Sequence, residues 1–320
     1  MPCYNSSKYI EEVMENVKLQ IENKNIELIV VDDNSIDNTF DLISRYKSFQ
    51  IRVFKNKINL GPNFSRNIGI KNALGEYILF LDSDDKFSTD AFSLLEGFCI
   101  SNSFDFLSFG FNFISGEKKI LSRHKFNTDI LLGSSIIEDF FDGKIYSVCW
   151  NKIYKRDFLI KNNIKFIEDK THGRDTIFTL DCCYYASKYI KTDIILYFSN
   201  VRDDSFSRSF SLRNISSLVN NIYTIQNRLN YYSLDKNFAN YYLAKHVRYI
   251  LLYSTFNLTI LDYFKALIKL LKINVFSILF SKISLKKSKM VENIISVLIF
   301  IPVIILPVSF ILKLFKYKPY

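Results

Sequence analysis

Tyr77-Ile-Leu-Phe-Leu-Asp-Ser-Asp-Asp85 sets an apolar run directly before three carboxylates, Asp82, Asp84 and Asp85. The continuous apolar character of residues 77–81 predicts a strand buried on both faces of a parallel sheet. Open α/β sheets hold their ligands just beyond the carboxyl ends of such strands, so the acids stand at a ligand edge. A hard divalent ion takes one or two protein carboxylates together with oxygens of a substrate phosphate. Asp-x-Asp at this place therefore points to Mg²⁺ or Mn²⁺ clamping a diphosphate. The alternative is an acidic turn that caps a helix starting near Ser88.

Outward from this stretch, a second apolar strand, Glu27-Leu-Ile-Val-Val31, also ends in a carboxylate pair, Asp32-Asp33. Asn-Ser-Ile-Asp-Asn-Thr follows it and predicts a helix start with Ser35 as N-cap. Between the two acidic strand ends lie a short strand, Ile51–Lys55, then Asn59-Leu-Gly-Pro62, then a helix from about Ser65 to Leu74 with Gly75 as its C′ residue. The order is βαβαβ, a doubly wound half-domain.

Pro2-Cys-Tyr-Asn5, Val31-Asp-Asp-Asn-Ser-Ile-Asp-Asn-Thr39, Asn59-Leu-Gly61, Ser65-Arg-Asn67 and Gly75–Asp85 resemble, in that order, the family 2 glycosyltransferases of GT-A fold. The resemblance is dense over residues 1–110 and looser to about 210. It implies a Rossmann-like, doubly wound, mostly parallel sheet, a nucleotide-sugar donor that is usually a UDP-sugar, an inverting transfer, and a divalent metal held by the Asp-x-Asp. Carried over position by position, Pro2 and Tyr4 line the nucleoside pocket, Asp33 hydrogen-bonds the base, and Arg66 helps hold the nucleotide. Asp82 and Asp84 serve the ribose and the metal. For Arg66 the alternative is a solvated helix residue. Members of the family normally begin with an apolar strand before the Pro-x-Tyr-Asn element, whereas this sequence reads Met1-Pro2, so the first strand is expected to be missing. That strand is central in the usual order, and its loss would leave two neighbours without a shared partner.

An inverting transfer needs one carboxylate to take the proton of the acceptor hydroxyl as its oxygen attacks the anomeric carbon. The family supplies it as the Asp of Gly-Glu-Asp-x-x-Phe, and Gly173-Arg-Asp-Thr-Ile-Phe178 offers Asp175 in that position, with Arg174 in place of the usual acid. A helix over about 176–188 would favour the ionised form of a carboxylate at its N-terminus. The alternatives are that Asp175 merely caps that helix, or that Glu168-Asp169 supplies the base. Glu168, however, matches the acid of the family's Phe-x-Glu element in Phe166-Ile-Glu168. Trp150-Asn-Lys-Ile-Tyr-Lys-Arg156 resembles the segment joining the nucleotide and acceptor halves, and Lys152 in it is expected near the phosphates. Arg202-Asp-Asp-Ser-Phe-Ser207 resembles the family's closing loop. No His or Cys/His cluster has the spacing of a zinc site. Without a Gln-x-x-Arg-Trp element, a processive synthase is not indicated.

The 320 residues are expected to divide into a catalytic domain over 1–210, with a nucleotide-binding half to 110 and an acceptor half after it, and a helical region over 211–320. Cys3, Cys99, Cys149, Cys182 and Cys183 form no C-x-x-C and read as reduced thiols. No signal peptide precedes them, so export is not indicated. Charge concentrates at the end: residues 261–320 hold ten lysines and two acids, a net of +8 out of +10. Lys265, Lys269 and Lys272 share one helical face amid apolar residues, the pattern of a helix lying on an anionic membrane. Ile294–Leu312 is nineteen residues without a charge, which at about 1.5 Å per residue approaches a hydrocarbon core of about 30 Å. Pro302 and Pro307 interrupt it, and lysines flank it on both sides, which fits a kinked, re-entrant helix. Cations bordering so long an apolar run fit lipid better than nucleic acid.

The sequence therefore predicts a non-processive glycosyltransferase at the cytoplasmic face of the inner membrane. Its expected partners are a nucleotide sugar and the hydroxyl of a growing, lipid-linked surface glycan. Two alternatives stay open: transfer to a polyprenyl phosphate, which needs no carboxylate base, and a catalytically impaired nucleotide-binding homologue.

Overall fold

Residues 1–115, 119–171, 173–201, 212–234, 240, 242–244 and 247 are described by a computed structural model. The elements begin with β1 (Pro2–Cys3), α1 (Ile10–Ile21), β2 (Leu28–Asp32), α2 (Thr39–Ser44), β3 (Ile51–Lys55), α3 (Pro62–Asn72), β4 (Tyr77–Leu79), β5 (Lys86–Phe87) and α4 (Ala91–Ser101). They continue with β6 (Phe106–Ser115), β7 (Lys119–His124), β8 (Asp129–Leu132), α5 (Ser134–Phe141), β9 (Lys152–Lys155), α6 (Arg156–Lys161), α7 (Asp175–Tyr185), β10 (Lys188–Asn200) and α8 (Leu212–Tyr231). Contacts divide the chain into two units, residues 1–140 with 146–170 and 174–205, and residues 141–145 with 171–173 and 206–320. Within the second, Asn221 of α8 lies 2.8 Å from where a Cβ on Gly173 would be, and Gly173 has φ +78°, so only glycine fits there.

In the first unit, α1 forms because Ile10, Val13, Met14, Val17 and Ile21 recur at helical spacing and are all buried. β2 is buried at every position and takes a parallel partner on each edge. One partner is β3, in register from Leu28 opposite Ile51 to Asp32 opposite Lys55. The other is β1, with Pro2 opposite Val31 and Cys3 opposite Asp32. The edge of β2 where the expected first strand would pair is thus taken by Pro2–Cys3 of the Pro-x-Tyr-Asn element itself, over two residues. Those two residues bond only β2. β4 pairs antiparallel with β9, and the strands separate into β1-β2-β3 and a larger mixed sheet, β4-β9-β6-β10-β5, with β7 on β6 and β8 on β10.

The stretch Tyr77–Asp85 accordingly folds in a different way from the one expected. Its strand covers Tyr77–Leu79, on an antiparallel partner, and Phe80 and Leu81 run on beyond the ladder while staying buried. Phe80 enters an aromatic core edge-on to Tyr154, Phe166 and Phe178 at 5.7, 5.3 and 5.8 Å between ring centroids. That anchor fixes where the following acids emerge. Helix limits shift as well. α3 starts at Pro62, after Gly61 with φ +94°, and ends at Asn72, before the expected glycine stop. α2 starts at Thr39 rather than beside Ser35, whose hydroxyl accepts from Asn5 N–H instead of capping a helix. Pro62 pre-sets a helical φ at the first position, and the left-handed Gly61 turns the chain into it.

Residues 202–211 and 248–320 lie outside the described residues, and with them the expected closing loop and the basic, apolar tail. Among the described residues no helix is long and apolar enough to cross a membrane.

Candidate active site

Two loops at the carboxyl ends of β1 and β2 are laced together by short polar side chains. Asn5 N–H donates to Ser35 Oγ (3.0 Å), Ser6 N–H to Thr39 Oγ1 (2.7 Å), Ser7 N–H to Asp37 Oδ2 (3.2 Å), and Ile36 N–H to Asn5 Oδ1 (3.0 Å). Tyr4 stands out of this lacing with 46% of its surface exposed, while Pro2 is buried. The Ser6 and Ser83 hydroxyls lie 2.7 Å apart, so the middle residue of Asp82-Ser-Asp84 is tied to the same loop. Pro2 and Tyr4, expected at the nucleoside, thus share a preorganised wall with the carboxylate turn.

Asp33, expected to hydrogen-bond the base, is also bonded within the protein through both carboxylate oxygens. Its Oδ1 accepts from Asn56 Nδ2 (2.7 Å) and Leu60 N–H (2.9 Å), and its Oδ2 from Gly61 N–H (2.7 Å). The carboxylate therefore shapes the loop that leads into α3. It is Asp32, fully buried, that keeps one oxygen, Oδ1, without a hydrogen-bond partner among the described residues, while Oδ2 accepts from Ser35 N–H. An orphaned buried acceptor is costly unless something fills it, which marks this strand end as built for a donor group.

Arg66 is the centre of the site. It is 8% exposed, with Nη2 2.8 Å from Asp82 Oδ1 and Nη1 3.4 Å from Asp175 Oδ1. One buried guanidinium thus joins a carboxylate 16 residues away to one 109 residues away. It lies over the Phe166 ring at 5.4 Å, and Phe166 stacks on Phe178 of α7 at 4.0 Å, 2° from parallel. The reading of Arg66 as a solvated helix residue does not hold.

Asp175 is the first residue of α7, after Arg174 at the N-cap. Its carboxylate turns to Arg66 and to the N–H of Cys149, 3.4 Å from Oδ2. A purely capping role therefore does not account for it. The competing acids have other partners. Glu168 is exposed and accepts from Asn67 Nδ2 (3.0 Å), and Asp169 takes the guanidinium of Arg174, with Nε at 3.0 Å. The basic residue that replaces the family's acid is thus neutralised locally, five residues from its partner.

At the turn itself Asp85 is buried, and burial, followed by the charges of Asp84 and Asp82, pushes its carboxyl well above the usual range. Three carboxylates crowd one another here, and two of them, Asp82 and Asp84, are part-exposed. Hard oxygen donors in surplus negative charge suit a divalent cation bound jointly with a phosphate. No group of three or more His, Cys, Asp and Glu side chains among the described residues is arranged to hold a metal by itself.

Lys152 does not reach toward this site. It is fully buried, and its ammonium donates to Tyr146 O, Val148 O and Asn151 Oδ1 at 2.6–2.7 Å, which uses all three protons. Burial lowers its pKa to about 8, so it is still largely charged at neutral pH. The expected phosphate contact is replaced by a strut under the loop that carries Cys149. Lys152→Met should destabilise the fold by about 3 kcal/mol, because three carbonyl oxygens lose their donor, yet leave the UDP affinity of folded protein unchanged. Calorimetric UDP titration alongside a melting curve checks both, and a lost affinity at intact stability would return Lys152 to the phosphates.

The site residues that sequence reasoning missed are those that touch through tertiary structure alone. Asn67 reads the Phe166 backbone on both sides, Nδ2 to O and N–H to Oδ1, each at 2.9 Å, and Tyr197 lies beneath the carboxylate turn. Asn67 lies within the Ser65-Arg-Asn67 match, which gives it no role of its own, and Tyr197 stands in no motif that would have marked it.

The model of the family described as Glycosyl transferase family 2 matches residues 1–162. Over 209 residues, 63% of the chain, the sequence is 29% identical to the poly(ribitol-phosphate) beta-N-acetylglucosaminyltransferase TarS of Staphylococcus aureus and spans 35% of that protein. To TarP of the same species, also a poly(ribitol-phosphate) beta-N-acetylglucosaminyltransferase, it is 30% identical over 202 residues, 62% of the chain and 60% of the relative. The fold resembles that of S. aureus TarS 1–349 in complex with UDP-GlcNAc, with a TM-score of 0.64 at 24% identity, over 83% of this chain and 77% of that one. The chain thus spans about a third of TarS and three fifths of TarP.

Proposed function

Since the chain belongs to glycosyl transferase family 2, we propose that it transfers a single sugar, with inversion, from a UDP-sugar to a hydroxyl of a bacterial surface polymer. The observation that carries this reading is Arg66, which draws Asp82 of the carboxylate turn and Asp175 of α7 onto one guanidinium. A donor-side acid and a prospective base, each part-exposed, are thereby held on one buried guanidinium, an arrangement that suits a direct displacement with no covalent enzyme intermediate.

In this mechanism Tyr4 and the Pro2 loop hold the nucleoside, with Asp32 and Asp33 at the strand end behind it. Asp84 and Asp82 would hold a divalent metal, Mn²⁺ or Mg²⁺, which when bound neutralises charge on the leaving diphosphate. Asp175 accepts the proton of the acceptor hydroxyl at a carboxylate oxygen. Its bonds from Arg66 and the Cys149 amide hold it aimed at the first turn of α7. Arg66 does two jobs: it balances the carboxylates and keeps them from spreading apart.

For the donor, a UDP-N-acetylhexosamine or UDP-hexose is favoured by the names of the relatives, among them a poly(ribitol-phosphate) beta-glucosyltransferase of Bacillus spizizenii. Those names also favour an anionic polyol-phosphate polymer as acceptor. Lipid linkage of that polymer and a place at the cytoplasmic face of the inner membrane are proposed from the basic, apolar stretch over 261–320. A donor screen that measures UDP release by membranes of cells expressing the full chain tests the reading. Release with one UDP-sugar, dependent on added polymer and Mn²⁺, is expected. UDP binding without release from any donor would favour the impaired homologue.

A further inference from the structure

Tyr197 is fully buried, 112 residues beyond Asp85 in sequence, and bonded to both ends of the carboxylate turn. Its hydroxyl donates to Asp85 Oδ2 at 2.8 Å and accepts from Asp82 N–H at 3.3 Å. Asp85 Oδ1 is met by Asn200 N–H at 2.7 Å, from the same strand. β10 reaches this place after register irregularities between Lys191 and Tyr197, so the strand is re-aimed just before the tyrosine. The ring is held as firmly as the hydroxyl. It stacks on Trp150 at 4.6 Å and 13°, and packs edge-on against Phe87 at 5.2 Å. Trp150 directly follows Cys149, whose N–H bonds Asp175.

We infer that Tyr197 is a positioning residue that joins the carboxylate turn Asp82–Asp85 to the segment that steadies Asp175. The hydroxyl sets the height of the turn, and the stacked ring sets the distance to the Cys149–Trp150 segment. Asp85 is then the peg by which the turn is pinned, which explains a third carboxylate buried beside two that face a ligand. This inference rests on the proposed role of Asp82 and Asp84 at the metal and diphosphate.

Tyr197→Phe keeps the ring stack and removes the link to the turn. The decisive readout is the gain in UDP affinity on adding Mn²⁺, measured by titration calorimetry on the full chain with and without the metal. We expect that gain to shrink about tenfold, equivalent to about 1.4 kcal/mol, with metal-free UDP affinity much less affected, and the donor KM to rise more than kcat falls. Asp85→Ala removes both oxygens that Tyr197 O–H and Asn200 N–H donate to, cuts the same link from its other end and should shrink the gain alike, so the inference stays testable if one variant folds poorly. A gain undiminished in both variants, even with a lowered melting temperature, would overturn the inference and leave Tyr197 as core packing. A wild-type protein that binds UDP equally with and without Mn²⁺ would instead overturn the metal reading, and this inference with it.

Discussion

Asp84→Asn is expected to cut Mn²⁺-dependent turnover by about 10³-fold or more, because an amide gives a hard cation weaker, uncharged ligation and several kcal/mol of transition-state charge stabilisation depend on it. The fold should persist. Asp84 is part-exposed at the tip of the turn, while Phe80 anchors one side in the aromatic core and Asp85 anchors the other. Removing one of three crowded carboxylates also relieves repulsion on Asp85, so a melting temperature equal to or above wild type is expected with the loss of activity. Asp82→Asn should be milder in metal dependence if Asp82 chiefly serves the ribose, since its Oδ1 is already held by Arg66. Activity of Asp84→Asn that follows the wild-type curve across a Mn²⁺ titration would remove the metal from Asp84.

The second large effect concerns the base. Asp175→Asn should lower turnover by about 10² to 10⁴, the usual worth of a positioned general base, with UDP affinity nearly unchanged. The amide is the same size and its one oxygen can still accept from Arg66 or from Cys149 N–H, so the side chain keeps one of its two bonds while the proton acceptor is lost. That separation of turnover from binding distinguishes a base from a framework residue. Glu168→Gln is the control: it removes an exposed charge whose neighbour is Asn67, and a larger loss there than at Asp175 would reassign the base. Turnover that survives Asp175→Asn would point instead to a phosphate nucleophile, as in transfer to a polyprenyl phosphate, where no hydroxyl proton has to be removed.

The sequence by itself determined the order of the early strands and helices, the acids at two strand ends, and the candidates Asp82, Asp84 and Asp175. It could do so because these are local signals: a buried strand must be apolar, and a ligand edge must turn polar where the strand stops. Only the tertiary structure decided how those strands pair. Pro2–Cys3 is a strand because Val31 and Asp32 lie beside it, and Tyr77–Leu79 belongs to the other sheet because Ile153, Tyr154 and Lys155 lie beside it. Pairing depends on which edges meet, and residue type does not encode that.

Side-chain partnership was hidden for the same reason. Arg66, Lys152 and Asp33 are all charged residues within recognisable motifs, but their uses differ with what surrounds them. Arg66 meets two carboxylates and serves the site. Lys152 meets three uncharged oxygens and serves the framework. Asp33 meets three donors of one loop and shapes it. A buried charge takes its role from the groups that satisfy it, and those groups come from segments tens to more than a hundred residues away, which only the folded chain brings within hydrogen-bond reach.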